Sequence, residues 1–270
     1  MHIRIGTRGS ALALAQTKKV VELLMQLDGR LEVEQVVIKT TGDVVKGEVP
    51  RAMNGTGFFV RELDEALVQG RIDLAVHSMK DIPTIRPPDT ITAAVLERES
   101  PYDCLITRDG ATMDELPAGA LIGTSSLRRA YPELTPIPMR GNINTRLRKL
   151  NEGVCDGIVL AEAGLIRMGW SIERQTLSPS QFLPSCNQGV IACVCMQHSR
   201  VHELLAQTRG DNVKLTAEVL SPDGTQQIRG DTLIPLDDDA SHQLQLADAL
   251  AQKIAMSGGA RLISLAKDES

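Results

Sequence analysis

Aromatic side chains are nearly missing from this 270-residue chain, with three Phe, two Tyr and one Trp making 2% of the residues. Its cores must therefore be aliphatic, and a surface that stacks bases on rings is disfavoured. Net charge is also small. A formal −5 with charged residues at 23% gives no general attraction to nucleic acid or to an anionic membrane. No uninterrupted apolar run approaches the ~20 residues of a membrane span. Met1-His2-Ile3-Arg4-Ile5-Gly6 starts a strand with no apolar leader, so a cytoplasmic location is expected. The five cysteines, an odd number without small-domain spacing, read as reduced thiols rather than a disulfide frame.

What is present is a repeated strand-turn-helix grammar. Ile72 to Val76 is a short apolar run that ends in His77-Ser78-Met79-Lys80-Asp81-Ile82-Pro83. An open α/β sheet commonly presents reactive groups to a cleft from such a strand end. Earlier, Ile3 and Ile5 alternate in a first strand, and Val20, Val21, Leu24 and Met25 recur at helical spacing. Between them, Gly6-Thr7-Arg8-Gly9-Ser10 puts a guanidinium and a hydroxyl at a helix start, where an anion is favoured. Ser10 either caps that helix or meets a ligand, and the residues alone leave both readings open. Leu31 to Lys39 reads as a second strand, Thr40 to Gly57 as a glycine-rich surface loop, and Phe58 to Gln69 as a helix with Phe59, Leu63 and Leu67 on one face. Pro87 and Pro88 force a turn before a strand over Thr90 to Leu96.

A second lobe begins at Asp103-Cys104-Leu105-Ile106-Thr107. Leu121 to Arg129 and Met139 to Lys149 are each a strand end, a glycine turn and a helix start. Thr124 to Lys149 holds six cations, Arg128, Arg129, Arg140, Arg146, Arg148 and Lys149, against the single acid Glu133. That is a net +5, leaving −10 for the remainder. A solvated basic helix face suits Arg148 and Lys149, whereas Arg128, Arg129 and Arg140 flank glycine turns and suit an anionic ligand. Gly123 is expected to let such a ligand approach the backbone. Gly189 to Cys195 reads as a buried return strand. Cys193, Cys195, His198 and His202 have a spacing that invites a metal, but two thiols inside an apolar strand are better read as small hydrophobes. Beyond residue 206, two strands around Ser221-Pro222-Asp223-Gly224 form a hairpin signal, followed by a helix over Ser241 to about Met256.

Five stretches together closely resemble the porphobilinogen deaminase (hydroxymethylbilane synthase) family: Thr7-Arg8-Gly9-Ser10-Ala11-Leu12-Ala13, Val76 to Pro83, Gly123 to Arg129, Arg140-Gly141-Asn142 with Thr145-Arg146-Leu147, and Leu160-Ala161 with Ala163-Gly164-Leu165. The resemblance implies an α/β fold of the two-lobed periplasmic-binding-protein (type II) kind with a small, shortened α+β third domain. Lobe 1 would be 1–97 plus 189–205, lobe 2 would be 98–188, and the third domain 206–270, with an open cleft between the lobes. It implies a transferase of heme biosynthesis that joins four porphobilinogen units head to tail and releases ammonia. The substrate is a small molecule; neither nucleic acid nor membrane is expected as a partner, and the expected state is a monomer. On matched positions Asp81 would be catalytic, steadying a delocalised pyrrolic cation. Arg8, Ser10, Phe59, Ser78, Lys80, Thr124, Ser126, Arg128, Arg129, Arg140, Gly141, Arg146, Arg167 and Gln188 would hold the carboxylated substrate and a dipyrromethane cofactor.

The chain departs from the family where that cofactor is attached. The family anchors dipyrromethane by a thioether to a third-domain cysteine, yet no cysteine follows Cys195. The segment between Leu205 and Val213 is short by about thirty residues, although a loop does not normally vanish with a site. The stretch between Arg129 and Arg140 is also shortened, Thr56 replaces a usual lysine, and Ser185-Cys186-Asn187-Gln188-Gly189 departs from the usual small-residue hinge. Cys186 is a poor substitute anchor, because an anchor must project into the cleft. The alternative this leaves is a non-catalytic relative that binds a pyrrole or small anion in the interlobe cleft.

Overall fold

The computed structural model describes residues 1–40, 60–124, 134–178, 182, 184–205, 212–220, 227–235 and 240–260. In chain order the elements are β1 (His2–Thr7), α1 (Ala11–Leu27), β2 (Glu32–Val37), α2 (Arg61–Val68), β3 (Leu74–Ser78), β4 (Thr90–Val95), β5 (Asp103–Thr107) and β6 (Leu121–Thr124). They continue as β7 (Thr135–Pro138), α3 (Ile143–Asn151), β8 (Gly157–Ala161), α4 (Glu162–Arg167), β9 (Gln175–Thr176), β10 (Ile191–Met196), α5 (Arg200–Leu205), β11 (Asn212–Leu220), β12 (Gln227–Pro235) and α6 (Ala240–Ile254). The chain divides into two compact units, one of 1–101, 161–172 and 187–208, the other of 102–160, 173–186 and 209–270.

The first unit is built on a five-stranded sheet of order β2-β1-β3-β10-β4. β1 runs parallel to β2 and β3, and β10 enters antiparallel to both β3 and β4. The period-two alternation of strand side chains divides its core into two faces. On one, Ile3, Ile5, Leu74, Val76, Ile191, Cys193 and Cys195 pack with Val20 and Leu24 of α1 and Val201 and Leu205 of α5. On the other, Ala75 and Val194 meet Leu63, Ala66 and Leu67 of α2. β3 is buried on both faces, as a central strand should be. Cys193 and Cys195 are core side chains, and burial pushes the Cys193 thiol up to about 12.

The second unit holds a five-stranded sheet of order β7-β6-β8-β5-β9, with Leu105, Met113, Ile122, Val159, Leu177 and Phe182 in its core. β11 and β12 form the hairpin read from Pro222-Asp223-Gly224, antiparallel along their whole length. The tail from Arg209 groups with the second unit rather than standing as a third one. Ala161–Ile172 groups with the first unit, where α4 buries Ala163 and Leu165 and its Glu162 accepts a hydrogen bond from Ser100 Oγ at 2.6 Å.

The segment that follows β3 is held down by a buried charge pair. Arg86 donates through both Nε and Nη2 to the Asp64 carboxylate on α2, with side chains only 10% and 4% exposed. Burial raises the Asp64 pKa and Arg86 opposes the rise. Arg86→Leu should therefore strand a buried carboxylate and cost about 3–5 kcal/mol in urea unfolding, while the double variant Asp64→Leu/Arg86→Leu should recover most of the loss.

Candidate active site

β3 delivers its last side chains into a single 3-10 turn, Met79–Asp81. The turn is an extension of the sheet, since Met79 N donates to Val190 O at 2.9 Å just before β10 begins. Lys80 is exposed along its stem, but its Nζ donates to Gln188 Oε1 at 3.1 Å. Asp81 is half-buried. Desolvation pushes its carboxyl above the ordinary carboxylate range, and the Lys80 and Arg8 charges pull it back. The turn thus holds a poorly solvated carboxyl at a strand end, under the influence of two cations.

Arg8 comes from the glycine turn between β1 and α1. Thr7, fully buried, receives a hydrogen bond from Thr17 Oγ1 at 2.7 Å, which ties the turn to the helix it precedes. Ser10 is the N-cap of α1 and accepts from Ala13 N at 3.3 Å, which leaves its hydroxyl hydrogen available to a ligand. Gln16, which sequence reasoning passed over, is buried on the same face of α1 and donates through Nε2 to Ser78 Oγ at 2.9 Å. Its signal was a lone amide at a core-facing helical position. Arg8 and the Met79–Asp81 turn are thus both referred to α1.

Arg167 lies elsewhere in the first unit, where its Nη2 donates to Gly189 O. Burial lowers its pKa, and the nearby Glu99 acts in the opposite sense. Gln188 is fully buried, with both ends of its amide engaged. In the second unit, Thr124 is buried at the end of β6, and Asn142 caps α3 by accepting from Thr145 N at 3.0 Å. Arg146 Nε donates to Gly141 O at 2.8 Å, Arg140 is exposed in the same turn, and Arg148 pairs with Glu152 along the helix. A Cβ at Gly123 would come within 2.4 Å of the end of the Met139 side chain and 3.0 Å of Ile158, so core packing also favours a glycine there. Phe59, Ser126, Arg128 and Arg129 lie outside the described residues.

Residues 3–203 match the family model described as porphobilinogen deaminase, dipyromethane cofactor binding domain. The chain is 43% identical over 300 aligned positions to a probable porphobilinogen deaminase of Methanococcoides burtonii, covering 96% of this chain and 95% of that one. It is 42% identical over 306 positions to one of Methanocella arvoryzae, covering 99% of each. The chain belongs to the porphobilinogen deaminase family. Among solved structures it is similar in fold to the methionine binding protein MetQ, at 14% identity and a TM-score of 0.48 over 76% of this chain and 89% of that one.

The family's dipyrromethane cofactor fits this chain in one respect and fails in another. Arg8 and Lys80 beside Asp81 are a donor set suited to a carboxylated pyrrole. For its attachment the chain offers no cysteine beyond Cys195; Cys104, Cys155, Cys193 and Cys195 are buried, and Cys186 is exposed. The M. burtonii alignment runs to 300 positions against a chain of 270 residues, so at least 30 of those positions have no counterpart here.

His77, one residue from the turn, is fully enclosed, and its Nε2 has no hydrogen-bond partner. Burial, reinforced by Arg86 and Arg8, depresses its pKa to about 3. Since the unfolded chain takes up this proton near the ordinary 6.5 and the folded chain does not, stability should fall as pH drops from 6.5 towards 3. The slope should approach ~1.4 kcal/mol per pH unit from this group alone. In denaturant unfolding between pH 5 and 7, His77→Asn should flatten that dependence.

Proposed function

We propose that this chain catalyses the head-to-tail condensation of four porphobilinogen units, with release of ammonia at each unit and a final addition of water to the terminal methylene, to hydroxymethylbilane, and that Asp81 is its catalytic residue. The reading rests on one observation above the others: a half-buried carboxyl at the end of β3 with its pKa raised by burial and opposed by Lys80 and Arg8. In each cycle the aminomethyl C–N bond of a porphobilinogen breaks and its electron pair leaves with ammonia. Positive charge spreads over the ring and its methylene carbon. That carbon bonds to the free α-carbon of the neighbouring ring, which then loses its proton. A fixed anion beside the transient cation lowers the barrier most where water is scarce.

Lys80 and Arg8 have two tasks in this reading: they oppose the loss of charge that burial favours at Asp81, and they meet the acetate and propionate groups of the pyrroles. Thr124, Arg140, Gly141 and Arg146, with Ser126, Arg128 and Arg129, are proposed to bind the remaining carboxylates, and Phe59 to border the site. Dipyrromethane, when bound, serves as the primer of the growing chain. The non-catalytic alternative is not favoured, because the relatives named as deaminases match along 95–99% of their length. We further propose a monomer acting in the cytoplasm on small molecules. No helix among the described residues is long and apolar enough to cross a membrane.

Asp81→Asn should preserve the fold and KM while lowering kcat for ammonia release by at least ~10²-fold, about 3 kcal/mol. Wild-type turnover in that variant would refute the role. The wild-type kcat/KM should fall on acidification with a midpoint above the usual carboxylate value, since activity is lost as pH drops through a raised pKa. Intact mass under denaturing conditions should equal the polypeptide alone, because no cysteine follows Cys195 to carry the thioether.

A further inference from the structure

We propose that Gln188 is a positioning residue whose side chain fixes the Lys80 ammonium beside Asp81, rather than a contact for substrate. Gln188 is fully buried. Its Nε2 donates to Pro101 O at 3.0 Å, its Oε1 accepts from Lys80 Nζ at 3.1 Å, and its own carbonyl accepts from Arg98 Nε at 2.8 Å. The orientation of the amide is forced. A main-chain carbonyl can only accept, so the NH₂ must face Pro101 and the oxygen must face the lysine, which can only donate.

The backbone beneath Gln188 is equally constrained. Gly189 sits at φ +86, and a Cβ there would lie 2.3 Å from Glu99 O and 2.8 Å from Ser100 O. Glu99 N donates to Gly189 O at 2.9 Å, and Arg167 Nη2 donates to the same oxygen. Asn187–Val190 is therefore clamped against the Arg98–Pro101 segment. The Met79–Asp81 turn hangs from that clamp through Met79 N to Val190 O at 2.9 Å. Two bonds, one from the turn's backbone and one from the Lys80 side chain, refer the reactive turn to a single rigid strip.

The tie matters because a lysine stem is long and its ammonium strongly hydrated, so an untethered Lys80 would drift towards water. The charges that act on Asp81 are Lys80, from its own turn, and Arg8, from the turn between β1 and α1. Release of one of the two leaves burial less opposed. The Asp81 carboxyl then holds its proton to higher pH, and less of the enzyme is active on the acid side. This consequence rests on the catalytic reading of Asp81, whereas the tie itself does not.

Two readouts separate the two claims. In ¹⁵N-detected spectra of the lysine side chains, the Lys80 ammonium should give a hydrogen-bonded, slowly exchanging signal that disappears in Gln188→Leu. In kcat/KM profiles the same variant should move the acid limb upward by roughly one pH unit, with kcat at pH 6 reduced several-fold and KM little changed. Gln188→Glu keeps an acceptor for Lys80 and loses the donor to Pro101. It should restore both the signal and the limb towards wild type at lower thermal stability, and it remains informative if the leucine variant folds poorly. In a Lys80→Met background, Gln188→Leu should move the limb no further. An unchanged Lys80 signal in Gln188→Leu, or an equal limb shift with and without Lys80, would overturn the proposal. A lost signal with an unmoved limb would leave the tie standing and refute the catalytic reading of Asp81.

Discussion

A carboxylate taken partly out of water must be compensated, and the first unit is arranged around that requirement at Asp81. Left alone, a desolvated acid takes up a proton and ceases to be an anion. Here the opposition comes from Lys80, adjacent in the chain, and from Arg8, which a different strand-helix turn supplies. Uncharged groups help to place both. The Arg8 turn is fixed by the Thr7–Thr17 hydroxyl bond and the Ser10 cap, and Lys80 is held by Gln188. Neutral residues set the geometry, and charged ones set the state of the acid.

The same logic appears on the α2 face of the sheet, with a different outcome. Asp64 is more thoroughly enclosed than Asp81, but its carboxylate is spanned by the Arg86 guanidinium, so it is a structural pair. His77, which is buried and acted on by the Arg86 and Arg8 charges, resolves its burial by staying neutral. Three titratable groups close to one strand end thus have three solutions to desolvation. Of the three, Asp81 combines partial access with two cations that oppose its burial, the combination on which its proposed role rests.

Much of this was legible in the sequence because it is local. The apolar run into Lys80-Asp81, the glycine turns before α1 and α3, and the Pro-Asp-Gly hairpin all carry their signals within ten residues, and the structure places the corresponding elements there. What escaped is the set of contacts between residues far apart in the chain. Lys80 and Gln188 are separated by 108 positions, and Gln16 and Ser78 by 62. Nothing in periodicity announces such pairs. Arg167 reads as one more cation of the second lobe, and only the packing of α4 shows that it serves the Gly189 carbonyl. Gly123 shows that a turn glycine can also meet a packing demand from a distant residue, here Met139.

The most direct test of this account is the titration of Asp81 itself, followed by carboxyl ¹³C resonances in aspartate-labelled protein, first in the wild type and then in Lys80→Met. The account predicts a midpoint above the ordinary aspartate range in the wild type and a further rise when the lysine charge is removed. A midpoint at the ordinary value, unchanged by that substitution, would contradict it.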